Sequence, residues 1–205
     1  MCIRDRSSWA GFINSYLRQE RSILEQILNL DQTAINQLYA ALEENLKPDN
    51  RSYQYDFFFD NCSTRVRDLL SEHIPGVKYP DEAAEPHSYR TLLDEYTYAW
   101  PLTDLGQDLI VGALSDADAG VQGQMYLPEY LHAVRDRASV GHLPLVKESR
   151  LLLDYEKMEQ ERSHKPINYP IWVFIIILLL RLVTVLLRKK TPWLDRIWYF
   201  LLGIG

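Results

Sequence analysis

The stretch Tyr53-Gln-Tyr-Asp-Phe-Phe-Phe-Asp-Asn-Cys-Ser-Thr-Arg-Val-Arg-Asp-Leu-Leu70 decides how this chain is read. Tyr53, Tyr55, Phe57 and Phe59 alternate with a period of two, the pattern of a half-buried strand, while Val66, Leu69, Leu70 and His73 recur at helical spacing. The change of period predicts a strand running straight into a helix. Asn61 is the natural N-cap, so Cys62 opens that helix. A thiolate there meets the unpaired N–H groups of the first turn and the positive end of the helix dipole, and the same donors can hold an oxyanion. A single thiol after a strand is more often packing than chemistry. The neighbours weigh the other way: Asp60, Asn61, Ser63, Thr64, Arg65 and Arg67 make a polar, partly cationic setting that activates a thiol. Cys62 is therefore the candidate nucleophile, with Asn61, Thr64 and Arg65 as supporting groups.

The chain has 205 residues, 47% hydrophobic and 12% aromatic, enough to bury a core. Its charge is unevenly placed. Residues 169–205 hold five basic residues against Asp195, so of the net −6 the first 168 residues carry −10. An acidic N-terminal part argues against nucleic acid as a partner.

From Pro170 to Leu187 the sequence is apolar except for Arg181 and Thr184. Eighteen residues of helix span roughly 27 Å, close to the hydrocarbon thickness of a bilayer. Arg181 lies near enough to one end to snorkel. Arg188, Lys189, Lys190 and Arg196 follow, and the positive-inside rule puts that loop in the cytoplasm and the acidic domain outside. A second apolar run starts at Ile197 and stops at Gly205. At the other end, Met1-Cys-Ile-Arg-Asp-Arg6 resembles the translation of a transposon-end sequencing adapter. Both ends are accordingly read as truncated, with Cys62 as the one cysteine proper to the protein. An exported domain meets an oxidising compartment, where an unpaired cysteine invites a chemical explanation.

Between the ends, Ile23, Leu24, Ile27 and Leu28 predict a short helix, and Asp31 caps a second with the stripe Ile35, Leu38, Tyr39, Leu42 and Leu46, read as core. Pro48-Asp-Asn50 turns the chain into the aromatic strand. A Pro-rich loop, helices near 88–98 and 105–114, and a charged helix or stalk over 151–161 complete the expectation. Asp116-Ala-Asp-Ala-Gly120 opens like a calcium loop but lacks the further ligands and closing Glu, so it reads as a solvated turn and no metal is expected.

These residues carry a resemblance. Arg21-Ser-Ile-Leu-Glu-Gln-Ile-Leu-Asn-Leu30, Phe57-Phe-Phe-Asp-Asn-Cys-Ser-Thr-Arg65, Tyr89-Arg90 with Trp100-Pro101, and Gln124-Met-Tyr-Leu-Pro128 resemble the periplasmic domain of the bacterial Lnb-type lipoprotein N-acyltransferases. The resemblance covers most of residues 16–153. It implies an α+β fold, helix-rich, papain-like and permuted as in the NlpC/P60 hydrolases, truncated here and followed by a transmembrane helix. The implied layout is 1–6 foreign sequence, 7–153 the periplasmic domain, 154–168 a linker, 169–187 the span, 188–196 a cytoplasmic loop and 197–205 the start of a second span. The implied chemistry is acyl transfer: Cys62 takes a fatty acyl group from a phospholipid as a thioester and passes it to the N-terminus of a lipoprotein, at the inner membrane and without a cofactor.

In such families the general base is a histidine N-terminal to the cysteine, and none precedes His73 here. That residue is expected upstream of this chain, leaving the chain inactive. His73 lies eleven residues along the same helix, about 16 Å up its axis, and His87 reads as a surface histidine. Arg65 and Arg90 are candidates for phosphate headgroups, Arg65 alternatively orienting the site through Asp60 or Asp68. A Cys–His hydrolase acting on peptidoglycan or peptides is the alternative to a transferase.

Overall fold

The computed structural model describes residues 2–3, 6–155, 167–187 and 192–203. It mixes helices with three small antiparallel sheets. The helices are α1 (Trp9–Arg18), α2 (Gln32–Asn45), α3 (Cys62–His73), α4 (Tyr89–Thr97), α5 (Pro101–Val111), α6 (Gly120–Gln124), α7 (Pro128–Asp136), α8 (Tyr169–Leu186) and α9 (Pro192–Gly203). The strands are β1 (Cys2–Ile3), β2 (Ile23–Leu28), β3 (Ser52–Tyr53), β4 (Val77–Lys78), β5 (Ser139–Val140), β6 (Leu143–Pro144) and β7 (Val146–Leu153). The pairings are β1 with β3, β2 with β7, and β4–β5–β6 in order.

Ile23–Leu28 is a strand, not the expected short helix. Apolar residues in adjacent pairs four apart fit either state over so short a run, and the long-range partner β7 decides. Register shifts at Ile23/Leu24 and Ile27/Leu28 break strict alternation, which is why the run does not read as a period of two. The partner is the C-terminal strand β7, so residues 151–153 extend a sheet where a charged helix was expected; 156–161 of that expectation lie outside the described residues.

α2 begins as expected, with Asp31 Oδ1 accepting from Ala34 N at 2.8 Å. Its stripe is core only in part, with Leu38 half-buried against Ala34, Leu70 and Ile74 and their neighbours. Ile35, Tyr39 and Leu42 are exposed, and Ala34 is the one fully buried residue of this helix.

Three packed clusters hold the domain. Phe58, Tyr89, Leu92, Ala119, Tyr126 and Leu127 form the first, next to the Cys62 turn. Ala34, Leu70, Ile74, Ala138 and Leu145 form the second, under α2, α3 and the β5–β6 hairpin. Val121, Met125, Leu131 and Val134 join α6 to α7. Gly123 passes so close to the first cluster that a Cβ there would sit 2.4 Å from the Tyr89 hydroxyl.

α8 is 18 residues long with a mean hydropathy of 2.4 and none of its window buried, so it is long and apolar enough to cross a membrane. Asn168 caps it, its Oδ1 accepting from Ile171 N at 3.3 Å. α8 packs against α5.

Candidate active site

The aromatic segment that reads as a strand from Tyr53 to Phe59 is strand only at Ser52–Tyr53 and closes into a tight turn. Asp56 and Asp60 bridge its ends, N–H to C=O in both directions at 3.1 and 3.2 Å. Asp56 Oδ1 accepts from Phe58 N (3.0 Å) and Phe59 N (2.9 Å), an Asx turn that competes successfully with strand pairing. The alternation is therefore inverted. Phe58, off the predicted face, is buried against Tyr89 and Tyr126 with ring centroids 4.9 and 5.3 Å away, while Tyr55, Phe57 and Phe59 remain exposed. Asp56 is the signal that sequence reasoning passed over, because Asp opening a run of four followed by a second Asp is turn chemistry.

The turn delivers the chain to Asn61 in extended geometry (φ −112°, ψ −174°), and α3 starts at Cys62. Asn61 Oδ1 accepts from Ser63 N (2.8 Å) and Thr64 N (2.9 Å), and Thr64 Oγ1 accepts from Asn61 N (2.8 Å), a reciprocal capping box. The Asn61 amide also donates to Phe57 O (3.0 Å) and Tyr126 O (2.8 Å). One buried side chain thus ties the aromatic turn, the helix start and the α6–α7 junction. Asn61, Ser63 and Thr64 are all buried, yet Cys62 between them is exposed and free of any disulfide. A cysteine that served packing would face the other way.

The cap also narrows what the first turn can bind. Ser63 and Thr64 N–H are occupied by Asn61 Oδ1 and Arg65 N–H by Asn61 O (3.0 Å), so among the described residues the Cys62 N–H is the first-turn donor left open. An oxyanion at Cys62 would have that donor and would need a second from elsewhere, not the row of donors expected.

The arginines are committed. Both oxygens of Asp60 accept from the Arg65 guanidinium, which also lies over the Tyr53 ring at 4.5 Å. Asp60 is the orienting partner for Arg65, not Asp68. Arg67 pairs with Asp68 (2.7 Å) and donates to Gln122 O (2.8 Å). The cationic setting expected around the thiol is thus neutralised by paired carboxylates. Arg90 is held by Asp116 (2.6 Å), Asp108 and Gly112 O (2.9 Å), where it locks α4 to α5 and the following 3-10 turn rather than meeting the Cys62 turn. Its guanidinium charge is reinforced by those two carboxylates, and Asp116 is pushed below the usual carboxylate range by the same hydrogen bond.

Among the described residues no histidine hydrogen-bonds Cys62. His73 lies beside Glu72 (3.8 Å), His132 beside Asp136 (3.5 Å), and half-buried His87 beside Glu85 (3.5 Å) and the edge of Tyr130. Three carboxylates outside the site, Asp94, Asp104 and Asp108, bring their oxygens within 4.8 Å of one another. Burial first, then Asp104 and Asp108, raise Asp94 to about 6. Thr97 and Arg90 already engage Asp104 and Asp108, so this cluster belongs to the α4–α5 packing.

Residues 7–95 match the family model described as the Lnb N-terminal periplasmic domain. No curated protein and no solved structure matches the chain. The match contains the aromatic turn, the Asn61–Thr64 box and Cys62. Residues 7–95 are thus similar to the Lnb N-terminal periplasmic domain, and the chain joins this region to a helix, Tyr169–Leu186, that is long and apolar enough to cross a membrane.

Proposed function

We propose that this chain carries the nucleophile of a membrane-anchored cysteine acyltransferase of the bacterial inner membrane, of papain-like descent. The observation that supports it most is an exposed thiol at the first position of a helix whose cap is buried and fully hydrogen-bonded. Rigid support beneath a solvent-facing nucleophile is what covalent catalysis needs. The Cys62 thiolate attacks the ester carbonyl of a phospholipid; the C–O bond breaks, the lysophospholipid alkoxide leaves with a proton from the general acid, and a thioester forms. The free α-amine of a lipid-modified lipoprotein cysteine then attacks the thioester carbonyl. Its proton passes to the base, an amide forms and the thiol is regenerated. In this reading the Cys62 N–H donates to the oxyanion in both halves.

The reading needs a general base, and among the described residues no histidine hydrogen-bonds the thiol. Without a base the nucleophile loses orders of magnitude in rate. The 205-residue chain reconstituted with phosphatidylethanolamine and a diacylated lipoprotein peptide should therefore give no N-acyl peptide, and a longer form of the protein that supplies a histidine beside Cys62 should give it. Transfer by the 205-residue chain alone would make His73 or His87 the base. Release of free fatty acid or peptide fragments with no N-acyl product would favour the hydrolase reading.

A further inference from the structure

α5 is built inside out for a water-soluble domain. Apart from exposed Thr103, its polar residues turn inward: Asp104 accepts from the Thr97 hydroxyl at 2.6 Å, Asp108 accepts from Arg90, and Gln107 is half-buried. Its apolar residues Leu102, Leu105, Leu109 and Ile110 share the opposite arc at helical spacing and face outward, Ile110 with 84% of its surface exposed. Trp100, just before the helix, is also exposed. A contiguous apolar face of this kind marks a surface meant to be covered.

The neighbouring element says by what. α5 packs against the apolar α8, and a cavity of about 470 Å³ is walled by Trp100, Pro101 and Leu102 on one side and Ile167 and Tyr169 on the other. Tyr169 opens α8, so with α8 as the span this junction falls at the headgroup boundary, which Trp and Tyr favour. We infer that α5 is an interfacial helix, its Leu102–Ile110 face lying in the outer boundary of the same bilayer that α8 spans. Amphipathic membrane helices usually present Lys and Arg to anionic headgroups, but α5 has neither and its acids are paired within the protein. Insertion is therefore driven by apolar burial alone. It needs no anionic lipid and does not respond to salt. Through α4, which carries Arg90 and Tyr89, the seated helix connects to the aromatic cluster beside Cys62. The inference rests on the membrane anchorage and is independent of the reaction assigned to Cys62.

The test uses the full chain with Cys2→Ser and Cys62→Ser, so its outcome does not depend on catalysis. Single cysteines at Ile110 and Leu109, at Gln107 on the inward arc and at exposed Asp49 are labelled with an environment-sensitive fluorophore and reconstituted into phosphatidylcholine vesicles. Probes at Ile110 and Leu109 should lose most of their emission to brominated lipid, resist iodide, and behave alike at low and high salt. The Asp49 probe should do the reverse, and the Gln107 probe should be shielded from both. Because Ile110 and Leu109 are exposed, their replacement should leave the fold intact. Iodide quenching at Ile110 equal to that at Asp49 would place the face in water and overturn the inference. Shielding from both quenchers would mean a protein cover and overturn it equally.

Discussion

Replacing Asn61 by Ala removes four hydrogen bonds at one stroke. Ser63 and Thr64 lose their N-cap acceptor, which costs about 1 kcal/mol in ordinary helices. The Tyr126 and Phe57 carbonyls lose their donor, and the Tyr126 bond lies in a buried setting, so roughly 1–3 kcal/mol more follows from an unsatisfied group. The total is about 3 kcal/mol against a whole-domain stability of roughly 5–15 kcal/mol. For a domain near 150 residues this is a fall in Tm of about 10 °C. Asn61→Ser keeps an acceptor for the cap and lacks the two donors, so it should fall between wild type and Ala. Asn61→Asp keeps the cap, gains dipole energy, and points oxygen at two carbonyl oxygens, so the gain at the helix is offset at the tether. Circular dichroism melts of the full chain in detergent measure the series. A Tm for Asn61→Ala within about 3 °C of wild type would refute the idea that one side chain joins the turn, the helix and the Tyr126 segment.

Other outcomes follow from the same structure. The Asp94 carboxyl titrates near 6 when folded against an ordinary 3.8, so between those values the folded protein binds more protons and stability falls as pH rises. Asp94→Asn should raise Tm at pH 7.5, with the gain vanishing near pH 4; an equal shift at both pH values would show the effect to be unrelated to charge. Gly123→Ala drives a methyl into the Tyr89 hydroxyl and ring, with Ala119 Cβ at 3.2 Å behind, and should cost about 1–3 kcal/mol in the same melts. An unchanged Tm would mean that Tyr89 moves freely, against the packed rings around it.

The helix that matters most was legible, because Asn61, Thr64 and the apolar spacing after them are local signals. The Asp31 cap is legible for the same reason, and α8 declares itself by length and apolarity. What failed depended on distance. β2 finds its partner more than a hundred residues away, and nothing within Ile23–Leu28 announces it. The aromatic turn failed differently: a period of two was present, but Asp56 offered its backbone a competing set of bonds and Phe58 had Tyr89 and Tyr126 to bury against. The α2 stripe shows that amphipathic spacing fixes a face without guaranteeing its burial. At the site, the exposure of Cys62 and the pairing of Arg65 with Asp60 are tertiary facts that composition suggests only as proximity.

The most direct test of the central claim traps the covalent intermediate. Membranes carrying a longer form of the protein that supplies a histidine beside Cys62 are incubated with phospholipid bearing an isotopically labelled acyl chain and no amine acceptor, then digested and mapped by mass spectrometry. The acyl group should appear on the peptide containing Cys62, be released by neutral hydroxylamine as a thioester is, and be absent from Cys62→Ser. Labelled acyl on another residue, or undiminished N-acylation of a lipoprotein peptide by Cys62→Ser, would contradict the assignment of Cys62 as the nucleophile.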